Sequence, residues 1–362
     1  MRKIAFMVKT FEGGGAQRVI HTLARYYVEQ GIEVHIFTMY HAESYPVFPG
    51  LFFWNIGIDR ADTSVEHNYE KIVWAADHAQ KMGIEAFIIC STSAPMYEYA
   101  LEMKKKFSFK ILAAMTNAPE RSPVTEEARK RRDEVFDVLY SEGAGFLFQN
   151  AYERDYFPET IREKSILVDN PLMDGIPASY VGEREKIVVS AGRFDEQKNF
   201  ELLIRAFAKF HKIHNEYQLH IYGRGHMEKV YKELIGECNM ENAIYLKPFT
   251  IDIHSRIRNA AVFVQSSNYE GVSNMLLEAI AMGLPVISTD CPAYGAREFI
   301  KDGKNGCLVP VENEERLYEA LERVIFTDAY QIEAGKESAT IRERLSVENI
   351  GQQYLDYLES LQ

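Results

Sequence analysis

The sequence predicts an α/β protein with two Rossmann-like domains, each built on a doubly wound parallel sheet. Short apolar runs rich in β-branched residues alternate with helical patterns, and this alternation stops once and restarts near the middle of the chain. The 362 residues also exceed the roughly 250–300 residues at which a single hydrophobic core stops growing. Because ligands of such sheets bind at the carboxyl ends of the strands, we expect the site in a central cleft that both domains face.

The first domain is assigned to residues 1–170 and opens with a βαβ pattern. Strands are predicted at residues 4–8, 34–39, 86–90, 110–115, 145–149 and 166–168. Helices are predicted at residues 16–30, 67–82 and 125–139.

The second domain is assigned to residues 171–345, since prolines and glycines interrupt the pattern between residues 170 and 185. Strands are predicted at residues 186–191, 218–222, 244–246, 262–265, 285–288 and 306–309, and helices at residues 200–211 and 227–237. A last helix, residues 346–362, has one apolar face, so we expect it to pack back on the first domain. That face comprises Ile350, Tyr354, Tyr357 and Leu361.

The charge balance argues against nucleic acid as a partner. A net charge of −12 and a pI near 5.4 do not supply the dense basic face that phosphate backbones require.

Two local basic clusters fit a solvated helix face, and contact with an anionic membrane or acceptor is the alternative. The clusters comprise Lys104, Lys105, Lys106 and Lys110, then Arg129, Lys130, Arg131 and Arg132.

A cytoplasmic location is predicted, with peripheral attachment to the inner membrane face as a further option. The four cysteines lie far apart and form neither a disulfide framework nor a zinc motif. The N-terminus has too few apolar residues for a signal peptide, and no apolar run approaches the roughly 20 residues of a membrane span.

The segment from Glu270 to Glu278 is the richest in potential chemistry. It is predicted to be a loop, an N-cap at Ser273 or Asn274, and a short helix that stops at Gly283. The N-terminus of a helix favours anions such as phosphate. Eight helical residues rise about 12 Å, so the two carboxylates suit the two ends of a long ligand such as a nucleotide sugar. A capped helix with two surface acids explains the same spacing.

Arg193 and Lys198 follow the first strand of the second domain. A guanidinium fork and an ammonium point charge match a diphosphate and the negative charge that grows on it as it leaves. An ordinary polar loop is the alternative. No pair of aspartates lies two residues apart, and His211 and His214 have no third ligand nearby. We therefore expect neither a metal nor a cofactor.

Glycines also follow two predicted strands. Gly13, Gly14 and Gly15 lie between the first strand and its helix, where backbone can approach a ligand closely. The spacing is not that of a dinucleotide fingerprint, which favours a mononucleotide or sugar contact. Gly223 and Gly225 resemble a tight turn beside a nucleotide, although such a glycine pair is most often only a turn.

Together these motifs resemble the retaining glycosyltransferases of family 4, which have the GT-B fold. The resemblance is carried by Glu270-x7-Glu278, by Gly-Arg193-x4-Lys198 and by the glycine loop that ends at Gly15. The stretch 268–310 is similar to this family throughout, and the Asn170-Pro171 pair at the domain boundary also fits.

The resemblance implies a role for each motif. Glu270 would contact hydroxyls of the donor sugar, Glu278 the ribose, and Arg193 and Lys198 the diphosphate. The backbone of Gly271, Val272, Ser273 and Asn274 would bind the distal phosphate, and Gly223 would lie beside the donor. Gly14 and Gly15 would approach donor or acceptor from the first domain.

One position departs from the family pattern. Many members have a histidine after the strand that matches residues 110–115, whereas this chain has Thr116 and Asn117 there. Either side chain can hydrogen-bond a sugar hydroxyl, but neither can act as a general base at neutral pH.

The resulting hypothesis is metal-free transfer of a hexose or N-acetylhexosamine from a nucleotide sugar, with UDP as the expected nucleotide. The acceptor would be a glycan or lipid-linked glycan in surface-polysaccharide assembly, and the anomeric configuration would be retained. Two alternatives use the same donor site: a sugar-nucleotide epimerase, and a non-catalytic sugar-nucleotide-binding partner of another transferase. A nicotinamide dehydrogenase fits worst.

Overall fold

The computed structural model describes residues 1–12, 14–41, 48–122, 125–250 and 252–361. The chain divides into two compact units. The first comprises Met1–Met173 with Leu345–Gln362, and the second comprises Asp174–Arg344. Each unit is an α/β structure built on one parallel sheet.

In the first unit, the sheet formed by the described residues has the order β3-β2-β1-β4-β5-β6-β7. Its strands are β1 (Lys3–Val8), β2 (Glu33–Thr38), β3 (Leu51–Asn55), β4 (Ala86–Cys90), β5 (Lys110–Ala114), β6 (Gly145–Phe148) and β7 (Ser165–Leu167). Its helices are α1 (Gly15–Glu29), α2 (Tyr69–Met82), α3 (Ala94–Lys104), α4 (Glu126–Ser141), α5 (Ala151–Asp155) and α6 (Glu159–Glu163). The strand order reverses between β1 and β4, so this sheet is doubly wound.

In the second unit, the described residues form a sheet with the order β10-β9-β8-β11-β12-β13. Its strands are β8 (Glu185–Arg193), β9 (Gln218–Arg224), β10 (Ile244–Pro248), β11 (Ala260–Gln265), β12 (Val286–Thr289) and β13 (Gly306–Val309). Its helices are α7 (Phe200–His211), α8 (Glu228–Glu237), α9 (Ile253–Ile257), α10 (Asn274–Ala281), α11 (Glu314–Ile325) and α12 (Asp328–Arg344). Every residue of β11 and β12 is buried, as expected for central strands covered on both faces.

The C-terminal helix α13 (Val347–Ser360) belongs to the first unit and packs against α1. The Tyr27 hydroxyl donates to the carbonyl oxygen of Gly351 at 3.1 Å. A Cβ atom on Gly351 would lie 2.5 Å from the Tyr26 ring, so a glycine is needed where the two helices meet. Ile350 and Tyr354, from the predicted apolar face, are buried in this contact region.

The predicted α/β fold with two parallel sheets is correct, but several elements are absent from the prediction. Strand β3 lies at the edge of its sheet and pairs with β2, and its aromatic run lacks clear alternation. Helix α3 buries six of its eleven residues around much of its circumference, so its sequence has no amphipathic period that would reveal it. The sequence pattern also predicts no helix in the segments that form α11 and α12.

Residues of both basic clusters make contacts within the first unit. Arg132 is fully buried, and its guanidinium donates to the carbonyl oxygens of Pro119 and Ser122 at 2.8 and 2.7 Å. Arg131 forms a bidentate pair with Glu98, and the Lys110 ammonium donates to carbonyl oxygens at the end of α13. Arg131, Arg132 and Lys110 therefore have structural roles within the first unit. Within the described residues no helix has the length and apolar character needed to cross a membrane.

Glu153 is a fully buried carboxyl group at the start of α5. Its Oε2 atom accepts a hydrogen bond from the backbone N–H of Gln149 at 2.9 Å, and its own N–H donates to the side chain of Asn150. Its Oε1 atom has no hydrogen-bond partner among the described residues. Burial raises the pKa of Glu153 to about 8, with a smaller contribution from the charge on Glu120.

Gly223 lies inside β9 and not in a turn, which corrects the predicted local structure. It pairs with Gly192 of β8. A Cβ atom at this position would lie 2.0 Å from the carbonyl oxygen of Gly192 and 2.6 Å from the Phe194 ring. Close packing between β9 and the end of β8 therefore explains this glycine without any ligand.

We predict that Gly223→Ala destabilises the second unit, because the added methyl group would overlap the carbonyl oxygen of Gly192. That carbonyl belongs to the paired strand β8, so it cannot shift without disturbing the sheet. The expected cost is about 1–3 kcal/mol, seen as a lower melting temperature in calorimetry. Gly236→Ala in α8 is the matched control, since its Cβ would meet nothing closer than 3.8 Å; it should be neutral or slightly stabilising. Equal melting temperatures for Gly223→Ala and wild type would contradict this packing argument.

We predict that Glu153→Gln reduces the loss of stability between pH 5 and pH 8. Because the pKa of Glu153 is raised in the folded protein, its contribution to stability is complete below its unfolded pKa and declines as pH rises towards about 8. The variant should lack this decline, which amounts to on the order of a few kcal/mol. Melting temperatures at pH 5, 6.5 and 8 measure it, with exposed Glu142→Gln as control. Parallel curves for Glu153→Gln and wild type would disprove the account.

Candidate active site

Two loops meet at the carboxyl edge of the second sheet because β8 and β11 are neighbouring parallel strands. One loop, residues 193–199, begins at the last residue of β8, and the loop after β11 covers residues 266–273. Gln197 joins them: its carbonyl oxygen accepts from the N–H of Asn268 at 2.8 Å, and its side-chain amide donates to the carbonyl oxygen of Tyr269 at 3.0 Å. Three more hydrogen bonds join the loops: the Ser266 hydroxyl donates to the carbonyl oxygen of Lys198, the Asn199 amide donates to the Asn268 side chain, and the Asn268 amide donates to the carbonyl oxygen of Glu196.

The ammonium of Lys198 forms an ion pair with Oε1 of Glu270. The same oxygen accepts a hydrogen bond from the Ser267 hydroxyl at 2.8 Å. The Lys198 and Glu270 side chains are only 17% and 11% exposed, so the pair is shielded from water. The resemblance placed these two residues on different parts of a ligand, whereas here they contact each other directly.

Arg193 lies in the same loop but has different partners. Its guanidinium contacts Asp195 at 3.1 Å and the side-chain oxygen of Gln197 at 3.0 Å. The Arg193 side chain is 65% exposed, in contrast to Lys198. The loop therefore offers one shielded cation and one accessible cation, both at the edge of the sheet.

Helix α10 begins beside this junction, with Ser273 as the residue before its first turn. Ser273 occupies the N-cap position, one of the two predicted for this helix, but its side chain makes no capping hydrogen bond. Gly271 and Val272 are buried with it, and Asn274 is half-buried. The loop thus brings the predicted phosphate-binding backbone next to Glu270.

Glu278 lies one turn further along α10. Its Oε2 atom lies 2.8 Å from Nε2 of His254 on α9, at hydrogen-bond distance. Both side chains are buried, at 2% and 8% exposure. The two acidic residues of the motif therefore have separate partners.

Sequence reasoning missed His254, Ser267 and Gln197. No motif links His254 to Glu278, which lies 24 residues away on a different helix. Ser267 and Gln197 are inside the motifs that were singled out, yet the spacing gave no sign of what their side chains contact. A prediction that β8 and β11 are neighbouring strands would have indicated that the loops after them meet.

In the first unit, the predicted contact residues also follow parallel strands. Gly14 precedes α1 and has an extended backbone with φ 177°, and Gly15 is the first residue of the helix. Gly13 lies outside the described residues. Thr116 and Asn117 follow β5 and are half-buried, and the Asn117 side chain accepts from the N–H of Ala118 at 2.9 Å. Only β4 separates β1 from β5, so both loops lie at one edge of the first sheet.

No cluster of three or more His, Cys, Asp or Glu side chains suited to a metal ion occurs in the described parts of the chain. The four cysteines are free thiols. The cationic side chains at the carboxyl edge of the second sheet include Arg193 and Lys198.

Comparison with known proteins places this edge inside a recognised domain. Residues 176–338 match the family described as glycosyl transferases group 1. An N-acetylgalactosamine-N,N'-diacetylbacillosaminyl-diphospho-undecaprenol 4-alpha-N-acetylgalactosaminyltransferase of Campylobacter jejuni is 34% identical over 40% of this chain and 39% of its own length. A poly(ribitol-phosphate) alpha-N-acetylglucosaminyltransferase of Staphylococcus aureus is 30% identical over 49% and 36%. The matched part thus spans less than two fifths of either relative.

Among solved structures, Anabaena HepE in complex with UDP and glucose superposes with a TM-score of 0.80. The superposition covers 100% of both chains. Because the sequence identity is only 16%, this similarity shows a shared fold and nothing more. The chain therefore has the GT-B fold, and its residues 176–338 match the glycosyl transferases group 1 family.

Proposed function

We propose that this chain is a retaining glycosyltransferase that uses a nucleotide sugar, with UDP as the nucleotide. It moves a hexose or an N-acetylhexosamine to a glycan or lipid-linked glycan during surface-polysaccharide assembly. The observation that carries the proposal is the Lys198–Glu270 pair beside the N-terminus of α10. The names of the two relatives, which transfer N-acetylhexosamines to a lipid-linked saccharide and to a polyol-phosphate polymer, support the donor and acceptor classes.

In this proposal the donor lies along the carboxyl edge of the second sheet. Glu278 binds the ribose, the N-terminus of α10 and Arg193 bind the diphosphate, and Glu270 binds hydroxyls of the sugar. Lys198 contacts Glu270, and this arrangement suits a nucleotide sugar because one C1–O bond joins the sugar to the phosphate. A carboxylate on the sugar side and an ammonium on the phosphate side are then neighbours across the reacting bond. The UDP and glucose bound by HepE belong to that protein and support the same ligand class here.

The chemistry follows from this placement. The C1–O bond of the donor breaks and its electron pair goes to the diphosphate, whose growing negative charge is stabilised by Lys198 and Arg193. The acceptor hydroxyl attacks C1 from the same face, which retains the anomeric configuration. Thr116 and Asn117 cannot take its proton at neutral pH, so the departing phosphate oxygen on that face receives it.

We propose further that the reaction needs no metal ion, since Arg193, Lys198 and the helix end supply positive charge at the diphosphate. The first unit would provide the acceptor side, through Gly14, Gly15, Thr116 and Asn117. The free cysteines fit a reducing, cytoplasmic compartment.

We predict that the protein releases UDP from one member of a panel of UDP-sugars in the presence of EDTA. Glu270→Gln and Arg193→Ala should each reduce the rate about 100-fold or more, because each removes a group that stabilises the transition state. Glu237→Gln, an exposed acid at the end of α8, should match wild type. A coupled assay of UDP release measures all four proteins.

Two results would contradict the proposal. Release abolished by EDTA and restored by a divalent cation would overturn metal independence. Donor binding without release from any UDP-sugar would favour the epimerase or the non-catalytic partner instead.

A further inference from the structure

The contact between His254 and Glu278 is buried and joins two different helices. His254 lies on α9, which precedes β11, and Glu278 lies on α10, which follows it. The Nε2 atom of His254 is 2.8 Å from Oε2 of Glu278, and the two side chains are 8% and 2% exposed. A carboxylate so deeply buried requires hydrogen-bond donors, and His254 supplies one.

The hydrogen bond to Oε2 restricts the orientation of the whole Glu278 carboxylate. The carboxylate rotates about its last single bond, and a hydrogen bond to one oxygen fixes that rotation and the position of the other oxygen. An ionised carboxylate only accepts hydrogen bonds, whereas ribose hydroxyls donate them. A carboxylate held in one orientation therefore suits a ribose better than one that rotates.

The position of His254 is also fixed by its surroundings. Its carbonyl oxygen accepts from the N–H of Arg258 at 3.1 Å. The start of α9 is held by the Ser255 hydroxyl, which donates to the carbonyl oxygen of Asp252, and by the Asp252 N–H, which donates to Thr250. The imidazole therefore projects from a hydrogen-bonded turn.

We propose that His254 is a positioning residue that orients the carboxylate of Glu278 towards the ribose of the donor nucleotide. This inference rests on the proposed function, in which Glu278 binds the ribose. It adds to the donor site a residue that belongs to none of the sequence motifs. His254 acts through Glu278 and does not itself touch the nucleotide.

The test measures binding by isothermal titration calorimetry, with UDP, 2′-deoxy-UDP and 3′-deoxy-UDP as probes. Wild type should prefer UDP over at least one deoxy form. His254→Leu should bind UDP about tenfold more weakly and should lose that preference, as should Glu278→Gln. His254→Gln, which keeps a hydrogen-bond donor, should retain part of the preference. A purely structural role for His254 would weaken binding of all three nucleotides equally and leave the preference unchanged.

The outcomes separate this inference from the proposed function. If Glu278→Gln loses the ribose preference but His254→Leu keeps it, the inference is wrong and the proposed donor site stands. If wild type binds UDP without a ribose preference, the inference and the ribose role of Glu278 are wrong, whereas failure to bind UDP contradicts the proposed donor site itself. If His254→Leu does not fold, His254→Gln is compared with His254→Asn, whose side chain is shorter. Loss of the ribose preference in His254→Asn alone supports the inference. An equal ribose preference in both variants overturns the inference.

Discussion

The ion pair between Lys198 and Glu270 is the interaction on which the rest of the site depends. The two residues are 72 positions apart in sequence, and they meet because β8 and β11 are adjacent strands of one parallel sheet. Removal of one partner from such a shielded pair leaves a charge without compensation, at a cost of about 3–5 kcal/mol in buried examples. The two loops are therefore held together by charge as well as by the hydrogen bonds of Gln197.

This junction also sets the positions of the other functional groups. The loop after β11 leads directly into α10, so the place of Glu270 determines where the helix N-terminus and Glu278 lie. On the opposite side, the end of β8 carries Arg193 and packs tightly on β9 at Gly223. The cations, the carboxylate and the helix end thus share one edge because β8 and β11 are neighbouring parallel strands.

Much of this arrangement could be predicted from the sequence, and the remainder could not, for physical reasons. Helix α7 and strand β13 have the predicted bounds because their apolar patterns are strong and flanked by clear stop signals. Helix α3 was missed because it is buried on most sides and lacks a polar face. The motif spacing identified Glu270, Glu278, Arg193 and Lys198 as candidates, but a pattern along the chain does not state which side chains meet across a sheet. The contacts Lys198–Glu270 and His254–Glu278 are of that kind.

The most direct test of the account is a crystal structure of the protein with UDP bound. We expect the diphosphate at the N-terminus of α10, within hydrogen-bond distance of Arg193 or Lys198, and the ribose hydroxyls in contact with Glu278. A nucleotide bound at another edge of either sheet, or one whose ribose lies away from Glu278, would contradict it.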